Sequence, residues 1–202
     1  MLVSHGNGGN MAHRLEKLRL LREAGAAVML FDYRGYGRST GKPTEKGTYA
    51  DGEAAYRWLL AQGVAPWRIV FHGESLGAGI AVELAARHPG GGLIVESGFT
   101  STVDMGKRLF GWLPVSWLVK YRYDNLAKIS KVRSPILVLH SREDEIIPFD
   151  MGRRLYEAAP TPKRFVELRG GHNDGFSISA ADYVEAIRLF LGSLSATTPA
   201  PR

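Results

Sequence analysis

The amino-acid sequence predicts an α/β protein with a mostly parallel sheet of about six strands and helices on both faces. Short apolar, β-branched runs alternate with longer helical patterns along all 202 residues, and most of the short runs are continuously apolar. Such runs are typical of strands that are buried on both faces of a parallel sheet. The composition of 45% hydrophobic residues, 23% charged residues and no cysteine excludes disordered, collagen-like and disulfide-stapled proteins.

Six runs have the length and composition of strands, and five segments have helical periodicity. The predicted strands are residues 1–4, 27–32, 68–72, 92–96, 136–140 and 164–168. The first predicted helix is capped by Asn10 and ends at Gly25. The third begins at residue 76 and is stopped by residues 88–90, and the other three cover about 48–62, 150–159 and 181–191. The side chains expected to face the core in the first two helices are Met11, Leu15, Leu18, Leu21, Ala55, Trp58 and Leu59.

A connection of about forty residues separates the fourth and fifth predicted strands. A connection this long is usually a lid or a binding loop, and the alternative is a helical crossover whose aromatic side chains pack in the core. The aromatic residues of interest are Phe110, Trp112 and Trp117. We assign one domain to residues 1–194, with a cap- or lid-like insertion at 97–134, and a disordered tail to 195–202.

The net charge of +6 is spread along the chain, because Lys and Arg alternate with acidic residues. This pattern favours a solvated surface over a nucleic-acid partner. No apolar run of about 18 residues predicts a membrane span, and the first residues lack the basic and apolar regions of a signal peptide. We expect a cytoplasmic protein with no transmembrane segment. Peripheral contact with a membrane stays open, and a signal or anchor upstream of residue 1 would be missed.

Residues 73–77, Gly-Glu-Ser-Leu-Gly, fit the pattern G-x-S-x-G. The motif lies between an apolar strand and a helix, which is the setting of a nucleophile elbow. Such a turn holds Ser75 in a strained conformation with its hydroxyl projecting from the sheet edge. A Cβ at Gly73 or Gly77 would collide with the neighbouring strand or helix. The alternative is a serine that caps the helix, with glycines that allow close packing.

A serine hydroxyl needs a base, and in this fold type the chain order is Ser, acid, His. His172 is the candidate base because it lies in a Gly-rich loop beyond the last predicted strand. Asp144, four residues after an apolar strand, is the favoured acid. Glu96, at the end of the preceding strand, also respects the order, whereas Asp174 is expected to cap or solvate its own loop.

A tetrahedral intermediate needs two backbone N–H donors. We expect one from Leu76, directly after the nucleophile, and the other from Asn7 in the Gly-rich turn at 5–10. The same turn could be a phosphate cradle ahead of a helix. It lacks the third glycine of G-x-G-x-x-G, and the chain has no Gly-Lys-Ser/Thr.

Together these residues resemble the α/β-hydrolase superfamily over nearly the whole chain. The shared stretches are residues 4–7, 31–39, 73–77, 96–101, 139–148 and 171–174. The chain looks most similar to the α/β-hydrolase domain-containing proteins, some of which remove fatty acyl groups from proteins. The resemblance implies Ser75 as nucleophile, Asp144 as acid and His172 as base.

Two loop positions depart from the family pattern, Gly98 in place of Pro and Ser141 in place of Gly. Family members also carry two strands before the first one found here. The resemblance therefore implies the strand order 4-3-5-6-7-8 in family numbering, with the first two strands absent. The strand at 27–32 then becomes an exposed apolar edge, and we expect a fragment or a shortened protein that hides this edge in a homodimer.

The expected activity is that of a serine hydrolase that cleaves a carboxylic ester or thioester through an acyl-enzyme intermediate. We expect Phe110, Trp112 and Trp117 to shape an apolar pocket for the acyl group. No cofactor or metal is implied, and the partner is a small-molecule acyl ester or thioester. The alternatives are a serine peptidase of the same fold and a non-catalytic binding protein on a truncated hydrolase scaffold. An acyl-protein thioesterase at a membrane surface has the least support.

Overall fold

The computed structural model describes residues 1–196. Six strands form one sheet in the order β2-β1-β3-β4-β5-β6, and every neighbouring pair is parallel. The strands are β1 Leu2–Ser4, β2 Met29–Leu30, β3 Val70–Glu74, β4 Gly92–Glu96, β5 Ile136–Ser141 and β6 Lys163–Leu168. The predicted class and strand order are confirmed, and the sheet is parallel throughout.

Helices connect the strands and cover the two faces of the sheet. Within residues 1–196 the α-helices are α1 Leu15–Glu23, α2 Glu45–Ala61, α3 Leu76–Arg87, α4 Thr102–Leu109, α5 Val115–Leu118, α6 Asn125–Ile129, α7 Phe149–Ala158, α8 Gly175–Ile178 and α9 Ala180–Ala196. Short 3₁₀ turns cover Met11–Arg14 and Pro66–Arg68. The predicted helices are thus present, and three short ones lie in the crossover between β4 and β5.

Local capping explains where the elements begin. The side chain of Thr44 accepts a hydrogen bond from the Gly47 N–H at 3.0 Å, so α2 begins three residues before its predicted start. Pro66 opens a 3₁₀ turn, so β3 begins only at Val70.

β2 is only two residues long and pairs with β1 alone, so it forms one edge of the sheet.

The core lies on both faces of the sheet, because successive residues of a strand point to opposite sides. In β3, Phe71 belongs to the cluster that contains Ile80 of α3, whereas Val70 belongs to the cluster that contains Ile187 of α9. All six residues of β5 are buried. Continuously apolar runs therefore do mark strands that are covered on both sides.

The predicted inward faces of the first two helices are wrong in part. Leu21 is buried, but Met11 is 44% exposed, Leu15 70% and Trp58 54%. Lys17 takes an inward position on α1 and is 3% exposed. Its ammonium group is neutralised there by two buried carboxylates. Hydrophobic periodicity assigns every lysine to solvent, so it cannot find such a residue.

The crossover between β4 and β5 is partly core and partly surface. Val115, Tyr123 and Ile129 are buried, as the helical-crossover alternative requires. Trp112 and Trp117 instead point outward, with 82% and 91% of their surface exposed. The assignment of 97–134 as a cap or lid stays a prediction.

The last helix, α9, continues to Ala196. Residues 195 and 196 of the predicted tail are therefore helical, and 197–202 lie outside the described residues. Among residues 1–196, no helix has both the length and the apolar character needed to cross a membrane.

Candidate active site

Ser75 lies in the sharp turn between β3 and α3 and has φ 53° and ψ −117°. This conformation is rare for a residue with a side chain and is held by the surroundings. The Ser75 N–H donates to the carbonyl of Glu96 at 3.0 Å. A Cβ on Gly77 would collide with the carbonyl of Ser4, and one on Gly73 would collide with the backbone of α3. The turn therefore requires both glycines, and it is the predicted elbow in geometry.

Three side chains from separate segments meet at the carboxyl edge of the sheet. His172 Nε2 lies 3.0 Å from Ser75 Oγ, and His172 Nδ1 lies 2.8 Å and 3.0 Å from the two carboxylate oxygens of Asp144. A proton on Nδ1 satisfies the carboxylate and leaves Nε2 free to accept from the serine hydroxyl. The arrangement is that of a nucleophile, a base and an orienting acid.

Asp144 is held in place and kept ionised by its neighbours. Its Oδ1 accepts hydrogen bonds from the N–H groups of Ile146 at 3.0 Å and Ile147 at 2.7 Å. Burial opposes the charge, but the hydrogen bonds from His172 and Ile147 outweigh it and lower the pKa of Asp144. Close to this carboxylate, burial lowers the pKa of His140, whose Nε2 lies 2.9 Å from the carbonyl of Ile147.

Glu96, the other candidate acid, does not contact His172. Its carboxylate is buried with Lys17 at 2.7 Å, His72 at 2.9 Å and the hydroxyl of Tyr183 at 2.9 Å. Burial opposes its charge, but Lys17 and His72 outweigh it and hold the pKa of Glu96 far below its usual range. The structure thus brings Asp144, and not Glu96, to the histidine.

The loop that carries His172 is fastened by acids on both sides of Asp144. Glu145 accepts the His172 N–H at 2.9 Å, and Glu143 accepts the Gly170 N–H at 3.0 Å. Asp174 accepts the Gly171 N–H at 2.6 Å within its own loop. Sequence reasoning missed both glutamates, although the run Glu143-Asp144-Glu145 beside a candidate acid is a signal that could have indicated them.

A cavity of about 510 Å³ lies beside Ser75 and His172. The turn after β1 contributes Asn7, whose side-chain oxygen accepts a hydrogen bond from the Tyr36 hydroxyl. Register explains this proximity, because Ser4 of β1 pairs with Gly73 of β3. Leu76, the other predicted oxyanion donor, is the first residue of α3.

The predicted acyl-pocket residues do not line this cavity. Phe110 is 51% exposed, and Trp112 and Trp117 are more exposed still. Their substrate-binding role is therefore not supported, because an apolar side chain that shapes a pocket must face it. The charged lining was not anticipated: His13, Arg14 and Glu74 all border the cavity.

A buried charge cluster lies directly behind the elbow. Lys17 forms ion pairs with Glu74 at 2.8 Å and Glu96 at 2.7 Å, and its ammonium group lies 4.4 Å from the centroid of the Phe176 ring. Burial works to lower the pKa of Lys17, but the two carboxylates outweigh it and raise that pKa. The residue before the nucleophile is therefore tied to α1 by a buried charge pair.

The sheet, the elbow and the placement of the three polar side chains define the class of α/β hydrolases. A family model described as alpha/beta hydrolase fold matches residues 1–112, more than half of the chain. The chain belongs to the α/β-hydrolase family, as its sequence resemblance predicted.

Relatives extend this match to nearly the full chain. An uncharacterized protein of Mycobacterium tuberculosis is 42% identical over 193 residues, which cover 95% of this chain and 69% of that protein. The human alpha/beta hydrolase domain-containing protein 17B is 36% identical over 177 residues, which cover 86% of this chain and 60% of that protein.

Solved structures share the fold at low sequence identity. An esterase from Pyrococcus furiosus aligns with a TM-score of 0.78 at 20% identity, covering 95% of this chain and 81% of that one. A monoacylglycerol lipase from Paleococcus ferrophilus aligns with a TM-score of 0.72 at 20% identity, covering 96% of this chain and 93% of that one. Family and fold together support a hydrolase.

Proposed function

We propose that this protein is a serine hydrolase that cleaves carboxylic ester or thioester bonds through an acyl-enzyme intermediate. The observation that carries the proposal is the contact chain from Ser75 Oγ through His172 to Asp144, with distances of 3.0 Å and 2.8 Å, at a strained elbow. Strain at such a turn persists only where the surrounding structure enforces it. A serine that merely capped the helix would need neither the histidine nor the acid.

In the acylation half-reaction, Ser75 Oγ bonds to the acyl carbon while His172 Nε2 takes the hydroxyl proton. The carbonyl electron pair moves to oxygen, and the N–H groups of Asn7 and Leu76 are the proposed donors to that oxyanion. The bond to the leaving oxygen or sulfur then breaks, and His172 returns the proton to the leaving group. Asp144 stays ionised and holds the imidazolium.

Deacylation repeats these steps with water. His172 removes a proton from water, whose oxygen attacks the acyl carbon and forms a second tetrahedral intermediate. The bond to Ser75 Oγ breaks, the serine regains its proton from His172, and the carboxylic acid leaves. No group beyond the acyl substrate and water is consumed.

Hydrolysis of p-nitrophenyl butyrate tests the proposal. Ser75→Ala and His172→Ala should each lower kcat/KM by at least about 10³-fold, because they remove the nucleophile or its base. Ser130→Ala is the matched control, since Ser130 is an exposed serine at the end of α6. Wild-type rates in Ser75→Ala would overturn the assignment.

A fluorophosphonate probe separates an enzyme from a binding protein on the same scaffold. It should label the wild type and Ser130→Ala but not Ser75→Ala, because only an activated serine reacts. An unlabelled, folded wild type would favour the binding protein. A panel of matched butyryl ester, thioester and anilide then distinguishes the proposed activity from that of a peptidase, which would also cleave the anilide.

A further inference from the structure

Arg14 borders the cavity that contains Ser75 and His172. One of its terminal nitrogens donates to the carbonyl of Gly8, in the turn that carries Asn7. Its Nε is buried and has no hydrogen-bond partner. Within residues 1–196, no carboxylate lies at ion-pair distance from this guanidinium.

The guanidinium of Arg14 therefore has no acidic partner beside the cavity among the described residues. Glu74 also borders the cavity, but its carboxylate is already paired with Lys17 at 2.8 Å. A buried polar group without a partner calls for a ligand or an explanation. A guanidinium presents planar N–H donors that match a carboxylate or a phosphate.

We propose that Arg14 binds an anionic group of the substrate, a carboxylate or a phosphate, while Ser75 attacks the acyl carbon. The substrates would then be acyl esters or thioesters that carry a negative charge near the scissile bond. This inference rests on the proposed hydrolase activity and specifies its substrate class. Arg14 would be a specificity-determining residue and not part of the proton-transfer chain.

Chain-matched substrates test the proposal. The first pair is p-nitrophenyl hexanoate and mono-p-nitrophenyl adipate, which differ by a terminal carboxylate, and the second is 1-hexanoylglycerol and its 3-phosphate. The wild type should favour the charged member of at least one pair by tenfold or more in kcat/KM. The pair that responds identifies the anion. Arg14→Gln should abolish the preference, and Arg14→Lys should retain part of it.

Arg22→Gln is the matched control, because Arg22 is an exposed arginine of α1 and its loss changes the net charge equally. A preference that survives in Arg14→Gln would overturn the proposal. An equal loss on charged and neutral substrates would also overturn it, since that result indicates only support of the turn through Gly8. If both pairs are hydrolysed without preference for the charged member, the proposed hydrolase activity stands and the proposed anion site is overturned. If no substrate is hydrolysed, both proposals are overturned.

A second feature lies on the crossover and does not depend on the hydrolase activity. Four large apolar side chains within nine residues face solvent: Phe110 is 51% exposed, Trp112 82%, Trp117 91% and Leu118 65%. α4 and α5 pack together behind them, because Gly106 lies against Val115. We call residues 107–122 the crossover patch.

The crossover patch is also strongly basic. It contains Lys107, Arg108, Lys120 and Arg122 and no acidic residue. Arg108 pairs with Asp150 at 3.0 Å, whereas the other three cations have no acidic partner within residues 1–196. Exposed tryptophans beside cations that lack an acidic partner match the polarity of a bilayer surface, where indole rings lie at the headgroups and cations meet anionic lipid.

We infer that the crossover patch docks the protein on an anionic lipid surface. The crossover that carries this patch leaves the sheet at the carboxyl end of β4. Ser75 lies at the same edge of the sheet. Charge complementarity favours an anionic lipid surface over a second copy of the chain, because two copies of this basic patch would place like charges against each other.

Cosedimentation with vesicles tests the inference. The wild type should bind phosphatidylcholine vesicles that contain 30% phosphatidylglycerol at least tenfold more tightly than pure phosphatidylcholine vesicles. Trp112→Ala/Trp117→Ala and Lys107→Gln/Lys120→Gln should each weaken that binding at least tenfold.

The chain supplies matched controls at a distance from the patch. Trp58→Ala/Trp67→Ala removes two tryptophans that are 54% and 58% exposed, and Lys42→Gln/Lys46→Gln removes two exposed lysines. Equal weakening by the control variants, or binding without dependence on anionic lipid, would overturn the inference. Light scattering that shows a dimer lost in Trp112→Ala/Trp117→Ala, without vesicle binding, would assign the patch to self-association instead.

Discussion

The contact between Asp144 and His172 holds the proposed base of the site in one orientation. Two main-chain N–H groups hold the carboxylate in addition to the imidazole, so its orientation does not depend on the histidine alone. Because the pKa of Asp144 is lowered, this carboxylate stays ionised in the folded protein at neutral pH. In the proposed mechanism, Asp144 is therefore placed to fix the tautomer of His172 and to stabilise its charged form in the transition state.

Asp144→Asn should lower kcat/KM for a chromogenic ester by about 10⁴-fold, because an amide cannot stabilise the imidazolium and favours the wrong tautomer. The unfolding midpoint should move far less, since Asn retains an oxygen for the Ile146 and Ile147 N–H groups. The control is Asp182→Asn, which removes an exposed carboxylate from α9. A loss below tenfold for Asp144→Asn would assign the acid to another residue.

At the residue scale, the sequence predicted those side chains whose chemistry follows from chain order and motif. Ser75, Asp144 and His172 were predicted in this way, and the structure places them in contact. Arg14 was not predicted, because nothing in a helical pattern distinguishes an arginine that faces a cavity from one that faces water. Trp112 was assigned to an acyl pocket because it lies in the long, aromatic-rich connection between two strands, but its side chain is 82% exposed.

At the element scale, capping and burial determine where helices begin and which side they bury. α3 begins at the elbow because the backbone leaves β3 through a residue with positive φ, and the sequence marks that point with two glycines. α1 is different, since its inward side carries a lysine among leucines. Apolar periodicity could predict that α1 exists but not which residues it buries.

Leucine truncations on α1 test the observed face. Leu21→Ala should destabilise the protein by about 2–5 kcal/mol, because Leu21 is fully buried and its loss leaves a cavity. Leu15→Ala should cost less than about 0.5 kcal/mol, because Leu15 is 70% exposed. Urea unfolding measures both, and similar costs for the two variants would contradict this placement of α1.

At the scale of the whole molecule, the edge formed by β2 bears on assembly. The two residues of β2 pair with β1 on one side only, so within residues 1–196 the other side of this strand faces no neighbouring strand. The homodimer through this edge stays a prediction. Multi-angle light scattering should detect a dimer that Leu30→Lys disrupts, and a monomer at every concentration up to the millimolar range would contradict it.

The buried cluster around Lys17 joins parts of the chain that are distant in sequence. Lys17 of α1 holds Glu74 of β3 and Glu96 of β4, and Glu96 also accepts from His72 and from Tyr183 of α9. The pKa of Lys17 is raised and that of Glu96 is lowered. The Glu96 carboxylate therefore stabilises the fold above the ordinary carboxyl pKa, and this contribution is lost as the pH falls toward its lowered pKa. The contribution of the Lys17 ammonium group is lost as the pH rises past the ordinary lysine pKa of 10.5.

Lys17→Met should destabilise the protein by about 3–5 kcal/mol at pH 7, because it leaves two buried carboxylates without their cation. Without Lys17, burial favours the protonated form of Glu96, and proton uptake there relieves that repulsion. The difference in unfolding free energy from the wild type should therefore shrink between pH 7 and pH 5. Lys46→Met, at an exposed lysine of α2, should show neither effect. Urea unfolding at the two pH values measures the difference. A difference in unfolding free energy that stays constant or widens toward pH 5 would mean that Lys17 contributes packing and not charge compensation. The elements that Lys17 joins would then be held by their apolar contacts alone.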